Sequence, residues 1–297
     1  MIWVKRFFYF IGGIILLLLV ALGVVWAITS VRMAKRYDVA ARPVTVPSDS
    51  AGIARGRHIA FAIGKCTECH GQDLGGQLLG DNFIFGRLVA SNLTTGQGGR
   101  ALLYDDPTLA RAIRHGINQD GKPLKVMPSE AFQYLSDEDA GALVAYIRSI
   151  PAVNRELPST RVGPMARVLW LVTNFPLIPA RGVDHQRVPP VSMPEAASVE
   201  YGKYLADVGS CTGCHGPGLS GGSMGSDKPA SNLTPAGIGT WTEADFVRAL
   251  REGKRPVGAD IDSLAMPWKA VGKMTDSEIH AVWLFLKSVP AKEFGGR

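Results

Sequence analysis

From Phe7 to Thr29 the chain reads FFYFIGGIILLLLVALGVVWAIT, 23 residues without a charge. As a helix this run reaches roughly 35 Å at about 1.5 Å per residue, enough to cross a bilayer. A cleaved export signal is the rival reading, and a small-residue cleavage pattern can be found at Val25–Ala27. Such signals usually have a shorter apolar core of about 7–15 residues, so the pattern predicts an uncleaved anchor over residues 1–36.

Downstream the pattern changes to amphipathic helices. The segments SAGIARGRHIAFAIGKC and AASVEYGKYLADVGSC each place apolar residues at helical spacing and run into a cysteine. Asp106-Pro107 and Thr242-Glu243 read as N-cap and first-turn signals of a middle helix. Ser136 with Asp139, and Thr275 with Glu278, start a last helix; the second pair has the spacing of a capping box and the first is a shorter-armed version. Pro151 and Pro290 stop those helices. No stretch alternates convincingly as a strand would, so the chain is expected to be all-α. The connections are rich in Gly, Asn and Pro and would not form an ordered core alone, which implies that something large fills each centre.

These signals occur twice in the same order. KCTECHG (65–71) pairs with SCTGCHG (210–216), ASNLTTG (90–96) with ASNLTPAG (230–237), and LARAIRHGI (109–117) with FVRALREGK (246–254). VMPSEAF (126–132) then pairs with AMPWKAV (265–271), and LSDEDAGALVAYIRSIPA (135–152) with MTDSEIHAVWLFLKSVPA (274–291). The offset stays near 140 residues, so the chain is a tandem duplication. The expected boundaries are a first domain at 48–151, a Pro- and Arg-rich linker at 152–194 and a second domain at 195–297. The linker run MARVLWLVTNFPLIP (165–179) is too short and Pro-broken to span a bilayer. Packing between the domains is its favoured role; lying on the membrane surface and docking a partner are the alternatives.

A length of 297 residues suits two domains of about 100 residues each. The formal charge of +6 is unevenly placed: residues 1–36 carry five basic side chains and no acid, and 152–194 carry five basic against two acidic. Residues 48–151 and 195–297 each come out at −1, so nucleic-acid binding has no electrostatic support. Two basic residues precede the apolar run and three follow it, so charge bias alone does not orient the anchor.

The chain has four cysteines, all within two C-x-x-C-H strings. Thiols one helical turn apart can each add to a vinyl group of one haem, and the adjacent histidine then ligates the iron. Cys66, Cys69 and His70 form one such site; Cys211, Cys214 and His215 form the other. A dithiol redox pair or one shared Zn²⁺ site would leave the recurring histidine unexplained. Two covalently attached haem c groups are therefore expected. Such attachment takes place outside the cytoplasmic membrane, which puts the body in the periplasm and the amino terminus inside. Met127 and Met266, 57 and 51 residues after their histidines, are each followed by proline and are the candidate sixth ligands. Filling an apolar gap is the bland alternative, and Met224 and Met274 are competitors in the second half. His58, His115, His185 and His280 do not repeat and read as surface or packing residues. Tyr104 and Trp241 occupy matching positions and could face a haem propionate or pack in the core. The SNLT loops at 91–94 and 231–234 are candidates to shield a haem edge.

With C-x-x-C-H early and Met-Pro before the last helix, each half resembles a class I c-type cytochrome. The stretch SNLTP through GIGTWTEADFVRALREGKRP, MPW and MTDSEIHAVWLFLKSVP resembles the cytochrome subunits of membrane-bound alcohol and gluconate dehydrogenases. The resemblance covers roughly 50–151 and 195–291. It implies that each half is a cytochrome c-type domain; with the apolar run and the duplication this makes two tandem cytochrome c-type domains behind one N-terminal transmembrane helix. It also implies electron transfer from a flavin or quinoprotein partner to quinone or other carriers, with a dehydrogenase, a quinol-oxidising complex or a terminal oxidase as redox partners. The chain departs from that family in having two haem motifs where such subunits usually have three, and in its N-terminal anchor. The alternatives are a dihaem peroxidase, which needs an openable distal position that the two Met-Pro straps argue against, and a haem-based gas or redox sensor, for which no output domain is visible.

Overall fold

The computed structural model describes residues 2–173, 175–222 and 229–296. Met224 lies outside the described residues. Helix α1 (Ile2–Ala34) contains the uncharged run and is long and apolar enough to cross a membrane. Its apolar side chains are exposed along most of its length, with Thr29 buried near its end.

The first half follows. Helix α2 (Ser50–His58) is capped by Asp49, whose side chain accepts the Gly52 N–H, and continues as a π-helical turn, Ile59–Ile63. Then come α3 (Cys66–His70), strands β1 (Gln77–Asn82) and β2 (Gly86–Ala90), and α4 (Asp106–His115). The half closes with α5 (Ser129–Phe132) and α6 (Asp137–Ser149). The middle segment contributes β3 (Arg161–Val162) and α7 (Pro164–Val172). The second half repeats the plan with α8 (Val199–Val208), α9 (Cys211–His215), a short α10 (Pro235–Ile238), α11 (Glu243–Glu252), α12 (Trp268–Val271) and α13 (Asp276–Ser288).

In each half the helix before the cysteines crosses the last helix at a glycine. A Cβ on Gly56 would stand 1.9 Å from the Ala142 carbonyl oxygen, and one on Gly202 would stand 1.9 Å from that of Ala281. No side chain fits there, so the backbones touch. Both last helices end as their sequences dictate. Ile150 and Val289 are extended because the prolines after them disfavour the helical conformation.

The chain is mostly helical, as the spacing predicts, with one departure. Strands β1, β2 and β3 form a small antiparallel sheet in that order. β1 is exposed on both faces and β2 is buried only at its two ends, so no inside–outside alternation marks the sheet in the sequence. What closes the hairpin is local: the Asn82 side chain accepts the Phe85 N–H at 2.7 Å, and Gly86 takes φ +97°. The cap of α4 also differs by one residue. Asp105, not Asp106, is the N-cap and accepts the Thr108 N–H, which puts Pro107 in the first turn.

The middle segment packs differently from the interdomain role favoured for it. Val162, Ala166, Trp170, Leu177 and Ile178 form a second apolar cluster with Ile117 of the first half, against Met33 at the end of α1 and Tyr37 and Val39 just beyond it. The reason is pairing: β3 extends the first half's own sheet, and Arg155 holds Asp73 through two nitrogens at 2.8 and 3.1 Å. The main core, by contrast, is continuous through both halves, running from Ile59 and Leu143 to Leu205 and Leu286.

Candidate cofactor-attachment sites

Each C-x-x-C-H turn is entered through a residue in the left-handed region, Lys65 (φ +52°) and Ser210 (φ +58°). Each is left through a glycine, Gly71 (φ +80°) and Gly216 (φ +79°), the residue type that adopts this conformation without steric cost. The chain then folds back, with the N–H of Gly76 on the His70 carbonyl at 2.8 Å and that of Gly221 on the His215 carbonyl at 2.9 Å. The two cysteines of each site thus share one short helical turn. Cys66 and Cys211 are half-buried, while Cys69 and Cys214 are exposed. Burial pushes the Cys66 thiol up to about 11, with Lys65 pulling the other way, and raises Cys211 too. These are protonated thiols, unlike the thiolates of a redox dithiol or a zinc site.

His70 Nδ1 and His215 Nδ1 lie 2.7 Å from the carbonyl oxygens of Ser91 and Ser231. A carbonyl can only accept, so Nδ1 carries the proton and Nε2 keeps a free lone pair for a metal. Burial lowers the pKa of both rings, which keeps them neutral at pH 7. The carbonyls are held by the SNLT loops. Asn92 Nδ2 donates to the Val153 carbonyl, while Asn92 Oδ1 accepts from the Thr94 N–H and hydroxyl. Asn232 and Thr234 make the same bonds, with the Lys292 carbonyl in place of Val153. These loops, candidates to shield a haem edge, thus hold the histidine acceptors, a role that residue identity alone does not disclose. Their recurrence in register was the available signal.

The Met-Pro straps also match. The Met127 carbonyl accepts the Ser129 N–H at 2.8 Å and the Met266 carbonyl accepts the Trp268 N–H at 2.7 Å. Pro128 and Pro267 have nearly identical angles, φ −78°, ψ 54° and φ −77°, ψ 54°. Each strap is therefore an inverse γ-turn that stiffens the backbone at the methionine. Val126 has φ +63°, an unfavourable angle for a β-branched residue, and is held by its N–H on the Leu177 carbonyl. Both methionines lie partly buried against the main core, as do Tyr104 and Trp241, while Met274 is buried within it.

The unrepeated histidines take packing roles. His115 Nδ1 lies 3.1 Å from His185 Nδ1, and His280 Nδ1 lies 2.5 Å from Glu243. His58 does something the sequence did not disclose: its Nε2 lies 2.7 Å from Glu278 of the other half. Around that contact the halves are joined by a near-symmetric polar network. Arg55 donates to both oxygens of Asp139 at 2.8 and 2.9 Å and to Glu278 at 3.2 Å, and pairs with the exposed Glu195 at 2.8 Å. Tyr204 donates to Asp139 at 2.7 Å and Tyr201 to Glu278 at 3.3 Å. Arg55 and His58 stand relative to Gly56 where Tyr201 and Tyr204 stand relative to Gly202. Lys65 Nζ closes the junction, donating to the Ile63 carbonyl at 3.2 Å and to the Gly209 carbonyl, just before the second cysteine turn, at 2.5 Å.

In donor chemistry both sites fit a covalently bound haem. Each offers two thiols on one turn, a neutral imidazole with Nε2 free and a thioether on a stiffened strap. Comparison with known proteins agrees. Residues 51–147 match the family model described as cytochrome c oxidase, cbb3-type, subunit III, and residues 199–290 match the model for cytochrome c. The chain is 29% identical to the fructose dehydrogenase cytochrome subunit of Gluconobacter japonicus, covering 91% of this chain and 60% of that one. It is 29% identical to the gluconate 2-dehydrogenase cytochrome c subunit of Pantoea cypripedii, over 83% of this chain and 61% of that one. It is 26% identical to the cytochrome c subunit of the quinone alcohol dehydrogenase of Gluconacetobacter polyoxogenes, over 83% and 58%. The chain thus spans about 60% of the length of these relatives.

Proposed function

We propose that this chain, a tandem of two cytochrome c domains homologous to the cytochrome c subunits of membrane dehydrogenases, is a membrane-anchored dihaem electron carrier. It takes electrons from a donor, a dehydrogenase partner or a quinol-oxidising complex, and passes them to a downstream acceptor such as a terminal oxidase. Helix α1 crosses the cytoplasmic membrane with its amino terminus inside, and both domains face the periplasm. The domains extend over 48–151 and 195–297, with 152–194 between them.

When bound, haem c supplies a one-electron Fe(III)/Fe(II) couple. The chain supplies the rest. Cys66 with Cys69, and Cys211 with Cys214, hold the groups through thioethers. His70 and His215 offer Nε2, with Nδ1–H kept on a backbone carbonyl so that the ring cannot rotate. Met127 and Met266 would offer the further ligand, a thioether, which favours the reduced state relative to a second histidine. The apolar core excludes water and lowers the local dielectric. The single observation that carries this reading is the twofold recurrence of the same clamp, from left-handed entry residue to histidine–carbonyl bond. The junction at Lys65 sets the two attachment turns close together, which supports transfer between them within one chain.

Matching Met-Pro turns in both halves favour electron transfer over a peroxidase or a gas sensor. The test is to denature the purified chain and assay the retained pigment as the pyridine haemochrome. Two equivalents that stay with the chain, together with two one-electron steps in a redox titration, are expected. One equivalent, or pigment lost on denaturation, would overturn the dihaem reading.

A further inference from the structure

Helix α7 meets α1 where the apolar run ends. Arg167 is buried, donates to Thr29 Oγ1 at 2.7 Å and Ser30 Oγ at 3.0 Å, and stacks 3.6 Å from the centre of the Trp26 ring. Counted from Phe7, Thr29 lies roughly 33 Å along the helix at about 1.5 Å per residue. A hydrocarbon layer is about 30 Å thick. The contact therefore falls at the boundary between acyl chains and headgroups.

The β1–β2 hairpin tip sits beside the start of the same helix. The Ile84 carbonyl accepts the Met165 N–H at 3.0 Å, and the Phe85 carbonyl accepts the Gly163 N–H at 2.9 Å. Their side chains, however, have no cover. Phe83 is 79% exposed, Ile84 53% and Phe85 51%. On α7, Val172 is 71% exposed and Met165 42%. Three consecutive large apolar residues at a hairpin tip, continued by an apolar helix face, are unusual on a surface meant for water. They are usual where side chains enter the headgroup–acyl boundary, and Phe is among the residues that anchor such interfacial elements.

We propose that the hairpin tip Phe83–Phe85 and the exposed face of α7 rest in the phospholipid bilayer that α1 crosses. The occupant is lipid because the patch is continuous with the lipid-facing surface of α1. Its height is set by the Arg167–Thr29 contact and not by a flexible tether. Arg32 lies one turn beyond that contact, with Lys35 and Arg36 just past the end of α1, a basic cluster that headgroup phosphates would meet. The proposal rests on α1 being a membrane span, and the experiment separates the two.

The photoreactive analogue p-benzoylphenylalanine is placed singly at Phe83, Val172, Leu17 or Leu264 of the full chain in native membranes. After irradiation, adducts are identified by mass spectrometry. Leu17 reports on the span, and Leu264, 95% exposed and in the second half, reports on water. Lipid adducts at positions 17, 83 and 172, several-fold above those at 264, are expected. Lipid at 17 with protein adducts or none at 83 and 172 would overturn the proposal and leave the anchor standing. No lipid at 17 would remove the anchor reading and this one with it.

Discussion

At the scale of single residues, the site is a matter of where one proton sits. His70 and His215 each spend Nδ1–H on a serine carbonyl, and the asparagine one residue on fixes that carbonyl in place. Met127 and Met266 are the proposed further ligands. Replacing Met127 or Met266 with alanine is expected to lower the midpoint potential of one titration step and leave both haems attached. Potentiometry of the two variants checks this, and unchanged potentials in both would remove the ligand assignment. The candidate cysteines and histidines were legible in the sequence because covalent attachment demands C-x-x-C-H at fixed spacing, and the candidate methionines only from the recurring Met-Pro pair, since their distance from the histidine varies. The serine carbonyls were not, because a backbone acceptor leaves no trace in residue identity.

At the scale of elements, two glycines decide how each half closes. Helices α2 and α6 touch at Gly56, and α8 and α13 touch at Gly202, with no room for a methyl group. Gly56→Ala or Gly202→Ala is expected to cost about 1–3 kcal/mol, the usual range for overpacking a filled core. Thermal or denaturant unfolding of each variant measures it, and a neutral result would mean that the crossing relaxes freely. The helices themselves were readable from periodicity and caps. Thr242 with Asp245, and Thr275 with Glu278, form complete capping boxes, as the spacing of the second pair predicted. In the first half Ser136 caps the helix, but the Asp139 carboxylate turns instead to Arg55 and Tyr204. The hairpin has no hydrophobic period to read, because β1 is exposed on both faces and β2 is buried only at its ends. The placing of 152–194 escaped because strand pairing with β2 is a long-range choice, which composition does not encode.

At the scale of the whole molecule, the halves are joined through Arg55, His58, Asp139, Tyr201, Tyr204 and Glu278. None of this was visible beforehand, because the duplication replaced Arg55 and His58 with tyrosines and so hid the symmetry of the contact. Burial alone would raise the Glu278 carboxyl. Its bond to His58, the Thr275 N–H and the nearby Arg55 outweigh burial and hold it below the ordinary value of 4.5. A depressed carboxyl stabilises the fold above that value, and the contribution is lost as pH falls through the lower folded pKa. Glu278→Gln should cost about 2–5 kcal/mol at pH 7, the range for breaking one side of a buried charge pair. The gap to the parent protein should close as pH drops below about 4.5. Melting curves from pH 7 downward test both statements, and a gap that persists in acid would assign the network a purely steric role.

The stretch between α1 and α2 is laid down on the first half along its length. The Tyr37 N–H bonds to the Gly121 carbonyl, Arg111 donates to the Val39 carbonyl, and Gly141 abuts the Thr45 carbonyl. A stem fastened in this way cannot swing its cargo about. On the proposed reading, anchor and body would turn together as one stiff piece, and a partner would have to diffuse laterally until its own face came into register. Lengthening the stem would therefore disturb packing before it gained any reach.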